Sequence, residues 1–290
     1  MIEHSFCHLP GIGPASEQKL WQQGIFTWQD ALNRFNGPGK KDKAIRKGLE
    51  DSIRSLSRRD AGYFATHLPA GQQYRLFKTF RQTAVFLDIE TTGLSPWDHI
   101  TTIALWDGVE VKTYVRGENL EDFPADIEKY GLLVTYNGKT FDLPFIRSRM
   151  DIPLDQAHID LRYVLGALGY KGGLKRCEKA FGIDRGDLDG VDGSFAVILW
   201  HEYKKTGNQK LLETLLAYNV EDVINLEILM VRSYNMHLEK MNQMEPLTQP
   251  THPDTAGFGQ SIAEPPAVPN PFSPDAALVE RLAHRHRAFV

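Results

Sequence analysis

The chain has 290 residues, 42% of them hydrophobic, with 33 Lys and Arg against 37 Asp and Glu, a formal net charge of −4 and two cysteines. That length buries one sizeable α/β core plus a small helical module. No segment approaches 18 consecutive apolar residues, the start lacks a charged-then-apolar leader, and two cysteines give no disulfide framework, so no membrane association and a reducing, cytoplasmic location are expected.

Residues 1–79 read as a helical module followed by a basic connector. His8-Leu-Pro-Gly-Ile-Gly-Pro-Ala-Ser-Glu-Gln-Lys-Leu20 sets Gly11 and Gly13 between two expected helices, with Pro14 where the second begins. Such a turn can offer backbone amides to a phosphate, with Lys19 one turn further along. A plain αα-hairpin with a glycine turn is the alternative. Residues 1–80 hold 12 Lys and Arg against 7 Asp and Glu, concentrated in Lys40–Lys47 and Arg54–Arg59. This basic stretch could meet a phosphate backbone or could simply be a solvated helix face.

Residues 80–240 alternate strands and helices. Strands are expected near 84–89, 100–106, 109–115 and 132–136, the first three antiparallel, with helices from 140 onward and another short strand near 158–160. The first apolar run, Ala-Val-Phe-Leu-Asp-Ile-Glu-Thr-Thr-Gly over 84–93, ends in Asp88 and Glu90. Side chains at i and i+2 of a strand share a face. Two carboxylates held side by side repel unless neutralised, and a divalent cation would do so; a polar strand end entering a turn is the bland reading. Gly131–Gly138 reads as a buried strand closing on an Asn-Gly turn, which places Asp142 in the first turn of the next helix, where the helix dipole alone would favour an acid. Residues 173–237 read as several helices. Within them, Leu211–Leu226 has apolar positions at spacings of three and four, and Tyr218 lies four residues before Asp222 on one face. Lys210 is the only basic residue nearby on that stretch.

Residues 241–290 change character. Glu245–Pro253 and Glu264–Phe272 are proline-rich and expected to be extended or disordered. A short helix over 274–287 closes the chain, and Leu278, Leu282 and Phe289 could dock on the domain or on a protein partner.

Taken together, Asp-x-Glu-Thr-Thr-Gly, Tyr-Asn-Gly-x-x-Phe-Asp and Tyr-x-x-x-Asp resemble the three motifs of the DEDD (DnaQ-like) 3′-5′ exonuclease superfamily over residues 80–235. Ala217 and Tyr218 match its tyrosine branch rather than its histidine branch, and His158–Leu161 and Trp200–Gly207 look closest to the bacterial YprB-like ribonuclease-H-like group. Residues 8–20 resemble a helix-hairpin-helix motif. The resemblance implies an RNase H-like mixed α/β sheet flanked by helices and hydrolysis of DNA or RNA with two Mg²⁺ or Mn²⁺ ions. It implies that Asp88, Glu90 and Asp222 hold the ion that activates water, that Asp88 and Asp142 hold the second, and that Tyr218 orients the water. Thr91, Thr92 and Gly93 would approach the terminal nucleotide, with Asn137 on the opposite wall, while Leu94 and Phe141 would either stack on bases or pack beneath the loop. Oxygen donors suit these hard cations, and no His/Cys cluster with zinc spacing occurs, since Cys7 and Cys177 stand far apart. A catalytically silent nucleic-acid-binding scaffold on the same fold would predict a missing acid, and none is missing; an RNA endonuclease would share the same acids.

Overall fold

A computed structural model describes residues 1–95, 97–188, 191–244 and 260–287. The N-terminal region comprises α1 (Pro14–Gln22), α2 (Trp28–Arg34), α3 (Lys40–Ser57), α4 (Ala61–His67) and α5 (Arg75–Phe80). Their starts follow capping chemistry: Thr27 and Asp30 form a reciprocal capping box on α2, and Asp60 accepts the Tyr63 amide at the start of α4. Ahead of Gly11 the chain makes only a 3₁₀ turn, Ile2–His4. The helix expected on that side of the glycines is therefore absent. Pro10 cannot donate a helical hydrogen bond, and the buried Glu17 carboxylate takes the Phe6 and Cys7 amides instead.

The sheet has five strands: β1 (Ala84–Thr91), β2 (Ile100–Trp106), β3 (Val111–Val115), β4 (Leu132–Thr135) and β5 (Ala157–Asp160), in the order β3-β2-β1-β4-β5. β1 pairs antiparallel with β2, and β2 with β3, whereas β1–β4 and β4–β5 are parallel. β3 begins two residues later than expected, because Asp107 accepts the Val109 and Glu110 amides and makes 107–110 a turn. The remaining helices are α6 (Phe123–Ile127), α7 (Asp142–Met150), α8 (Leu161–Ala167), α9 (Leu174–Ala180), α10 (Gly193–Thr206), α11 (Gln209–Met244) and α12 (Ala276–Arg287).

Alternation along β1 sorts the layers. Val85, Leu87 and Ile89 enter a core with Phe123, Ile127, Leu143 and Ile146 of α6 and α7, while Phe86 enters the core that holds Val223, Leu226 and Met230 of α11. Asp88 and Glu90 continue the Phe86 face, the one against which α11 lies. The same core takes Phe77 and Phe80 of α5, Phe64 of α4 and Leu49 of α3.

The two proline-rich stretches separate here. Glu245–Pro253 lies outside the described residues. Residues 264–272 have no regular secondary structure but are packed, with Val268 and Phe272 against the apolar core and the Glu264 carboxylate on Arg232 of α11. Leu278 and Leu282 of α12 are buried beside Phe195, Leu199, Leu211 and Tyr218, so the closing helix docks on the domain itself; Phe289 lies outside the described residues.

Candidate active site

The parallel pairing of β1 with β4 ends at Phe86–Val134, and β1 runs on alone on that side. Its pairing with β2 slips between Glu90 and Thr91, which bends the strand where its acids emerge. α11 crosses this end and sets Asp222 beside them: carboxylate oxygens of Asp88, Glu90 and Asp222 all lie within 4.8 Å of one another. The fourth acid arrives at the start of α7, where Asp142 Oδ1 accepts the Ile89 amide at 3.3 Å. Tyr218, one turn before Asp222, lines the same cleft, whose volume is about 1070 Å³. Three separated stretches of chain thus deliver the five motif side chains to one place.

The loops that flank these acids are internally braced. Thr91 Oγ1 donates to Gly93 O at 2.8 Å, and Thr92 Oγ1 donates to Asp98 at 2.8 Å. A Cβ at Gly93 would sit 2.6 Å from the Asp98 carboxylate, so a side chain there would displace the group that braces the loop through Thr92. Thr91 and Gly93 line the cleft, whereas Thr92 serves the loop. Leu94 is 84% exposed and so does not pack beneath the loop; Phe141 packs on Phe145 with ring centroids 5.6 Å apart while still facing the cleft. Asn137 forms the opposite wall in the left-handed region at φ +67°. Its amide and that of Lys139 donate to the buried Asp160 at 2.8 and 3.0 Å, and Asp160 also caps α8 through the Arg162 amide. Asp160 therefore shapes the loop leading to Asp142, a role its place at a strand end did not reveal.

None of Gly11, Gly13 and Lys19 lines this cleft. Gly11 takes φ +71° in a tight turn, Gly13 is the N-cap of α1, and Lys19 lies in that helix's last turn. The structure thus keeps the N-terminal candidates apart from the acids.

Several cleft residues were not legible as candidates. Lys175 at the start of α9 places its ammonium on Asp222 and 4.5 Å from the centre of the Tyr218 ring. Arg185 lies 2.7 Å from the same Asp222 oxygen and donates to Glu178 at 2.7 Å. Asp222 is thus paired with two cations from other elements rather than with Lys210, which pairs with Glu213. The available signal for Lys175 was the preceding Gly172-Gly173, both at positive φ, a sharp turn that redirects the chain into the cleft. Asn219, fully buried, donates to Asp88 Oδ2 at 2.8 Å and accepts from Thr102 Oγ1 at 2.9 Å, joining α11 to both central strands. Arg162, Tyr163, Tyr170 and Lys171 complete a basic and aromatic wall, with the Lys139 ammonium over the Tyr163 ring.

Desolvation at the cleft floor, followed by the negative charge of Asp222, pushes the carboxyls of Asp88 and Glu90 well above the ordinary carboxylate range. Burial likewise raises Asp142 to about 7, against its own amide and that of Ile89, which favour the anion. A group whose folded pKa exceeds its unfolded value contributes stability that is complete below the unfolded pKa and is lost as pH rises through the folded one. In EDTA, Asp142 should therefore cost the fold stability as pH rises from about 4 to about 7, with Asp88 and Glu90 acting in the same direction, and the melting temperature should fall over that window. Mn²⁺ should stabilise more at pH 8 than at pH 5, where the acids hold protons; equal Mn²⁺ shifts at both values would contradict the assignment. The oxygen-only donor set, whose charge Lys175 and Arg185 offset at Asp222 alone, fits a hard divalent cation such as Mg²⁺ or Mn²⁺.

A mixed five-stranded sheet of this order, with carboxylates gathered at the end of its central strand and a helix closing over them, defines an α/β protein of RNase H-like architecture. The RNase_H superfamily model matches residues 85–234, and the chain belongs to that superfamily. Among solved structures, the chain is similar to the family B DNA polymerase from the hyperthermophilic archaeon Pyrobaculum calidifontis, at 18% identity and a TM-score of 0.41. That match covers 55% of this chain and 24% of the polymerase, so the chain spans about a quarter of its length. No curated protein matches the chain. Among the described residues, no helix is long and apolar enough to cross a membrane.

Proposed function

We propose that the protein is a metal-dependent 3′-5′ exonuclease of the tyrosine-type DEDD group, akin to the YprB-like proteins, that hydrolyses phosphodiester bonds of DNA or RNA. The observation that carries this reading is the convergence of Asp88, Glu90 and Asp222 within 4.8 Å, with Tyr218 one turn away in the same cleft. Two bound Mg²⁺ or Mn²⁺ ions would supply a lowered water pKa and neutralise charge on the attacking and leaving oxygens. Asp88, Glu90 and Asp222 would hold one ion, and Asp88 with Asp142 the other. Burial and the neighbouring carboxylates push the Tyr218 phenol far up, so it stays protonated at neutral pH and orients the water by hydrogen bonding. Arg162 and Lys171 on the cleft wall, with Lys139 beside them over Tyr163, meet the phosphates of the substrate strand, and Tyr163 and the exposed Leu94 meet its sugars or bases. Away from the cleft, the Gly11–Gly13 turn and the basic α3 would hold the phosphate backbone without reading sequence. Both cysteines are free and buried, which suits a reducing cytoplasm.

The test is cleavage of 5′-labelled single-stranded and duplex DNA and RNA in Mn²⁺, Mg²⁺ or EDTA, with Asp88→Ala alongside. A ladder shortening from the 3′ end, dependent on metal and absent in the variant, is expected; internal cuts would replace the reading with an endonuclease. One observation favours a second reading, a catalytically silent nucleic-acid-binding scaffold: Lys175 and Arg185 already neutralise Asp222 without any metal. On that reading, wild type and Asp88→Ala bind nucleic acid equally and neither cleaves it.

A further inference from the structure

We propose that residues 270–282 clamp the segment of α11 that carries Tyr218 and Asp222, and that Asn270 is a positioning residue for the acid cluster; the functional part of this inference rests on the nuclease reading above. The acids come from two independent elements. Asp88 and Glu90 are fixed by the sheet, while Asp222 rides on a helix, so a displacement of that helix from the strand would open a cluster whose oxygens lie within 4.8 Å of one another. From the inside, Asn219 on Asp88 resists the displacement. The C-terminal segment resists it from another side.

Ala217 and Glu221 lie about 100° round the helix from Tyr218 and Asp222, one residue before each, and Thr214 lies between that line and the Tyr218 face, so the three form a stripe along the flank of the site. The returning chain bonds to every member of this stripe. Asn270 Nδ2 donates to the Ala217 carbonyl at 2.7 Å and to Glu221 Oε2 at 3.2 Å. The Asp275 amide donates to Thr214 Oγ1 at 3.1 Å. A carbonyl in mid-helix already serves the amide four residues on, so a second, side-chain donor ties that turn to the clamp specifically. Asn270 is itself held, its Oδ1 accepting the Phe272 amide at 3.1 Å. Leu278 and Leu282 then anchor the segment in the apolar cluster that includes Leu211, Leu215 and Tyr218. Glu264, ahead of the clamp, pairs with Arg232 nearly three turns beyond Asp222, away from the acids.

The experiment compares full-length wild type with Asn270→Ala, the near-isosteric Asn270→Asp, and Glu264→Ala. Three readouts are taken: Mn²⁺ affinity by calorimetry without substrate, backbone hydrogen exchange along α11, and kcat and KM on a single-stranded oligonucleotide. Both Asn270 variants should bind Mn²⁺ about tenfold more weakly, the size typical for groups that orient metal ligands. They should exchange faster over residues 213–222 but not over 226–238, and should lower kcat with KM unchanged. Glu264→Ala should match wild type at the site in all three. Wild-type exchange over 213–222 in both Asn270 variants would overturn the clamp, whatever the activity. Wild-type protein that neither binds Mn²⁺ nor cleaves any substrate would instead sink the nuclease reading, while the exchange data still decide whether Asn270 holds the helix.

Discussion

Asp88→Asn is expected to abolish metal-dependent cleavage and, at the same time, to raise the melting temperature of the protein in EDTA. The loss of activity should reach at least about 10³-fold, or about 4 kcal/mol of transition-state stabilisation, because Asp88 is shared by both proposed ion sites. The gain in stability has a separate cause. Asp88 faces Asp222, Asp142 and Glu90, and among the described residues no Lys or Arg forms an ion pair with it, the Lys175 ammonium acting on it from its place on Asp222; its polar partner is the Asn219 amide, which an asparagine at 88 can still accept. Replacing the carboxylate by an amide removes like-charge repulsion while keeping shape and hydrogen bond. A gain of about 0.5–2 kcal/mol is the usual return for relieving such a functional compromise, which corresponds to about 2–4 °C per kcal/mol in a protein of this size. Asp222→Asn should behave differently, since Lys175 and Arg185 would lose their shared partner and offset the relief. Differential scanning calorimetry in EDTA separates the two variants, and a lower melting temperature for Asp88→Asn would mean that the basic side chains already neutralise the whole cluster.

The largest loss of stability is expected from Glu17→Ala, about 3–5 kcal/mol, the cost of leaving a buried charge without its partner. Glu17 is 0% exposed and Arg75 2% exposed, with their charged groups 2.8 Å apart. The carboxylate also accepts from the Phe6 and Cys7 amides, the Ser5 hydroxyl and the Cys7 thiol. It therefore organises the whole turn ahead of α1 as well as holding Arg75. Glu17→Gln keeps the volume and part of the hydrogen bonding but not the charge, so it should cost less than alanine. Denaturant titration at neutral pH measures both; a loss under about 1 kcal/mol for alanine would show that Arg75 reaches water.

The strands and the long last helix were legible because each carries its own signal: apolar runs of four to eight residues for β1, β2 and β4, and spacings of three and four for α11. The acids were legible for a related reason, since Asp88 with Glu90 and Tyr218 with Asp222 are local pairs whose relative placement follows from strand and helix periods. The partners they bond to were not. Lys175 reaches Asp222 across 47 positions and Asn219 reaches Asp88 across 131, and no periodicity encodes a contact between different elements. At the N-terminus, glycine spacing suggested a helix on each side, but the buried Glu17 captured the amides that the first one needed. The α12 docking mode was open for the same reason: an amphipathic face does not name the surface that covers it.

α11 spans 36 residues, about 54 Å at the usual rise. Its first half carries Tyr218 and Asp222 to the acids, and its second half stacks His237 on Tyr74, with ring centroids 4.1 Å apart, just ahead of α5. A rod that belongs to both ends of the molecule cannot melt in halves, so the helices before β1 and the sheet should unfold in one cooperative step. Expressing the sheet without the first 79 residues would strip the Phe77 and Tyr74 side chains from that rod, and the product should collect as aggregate rather than as a smaller folded protein.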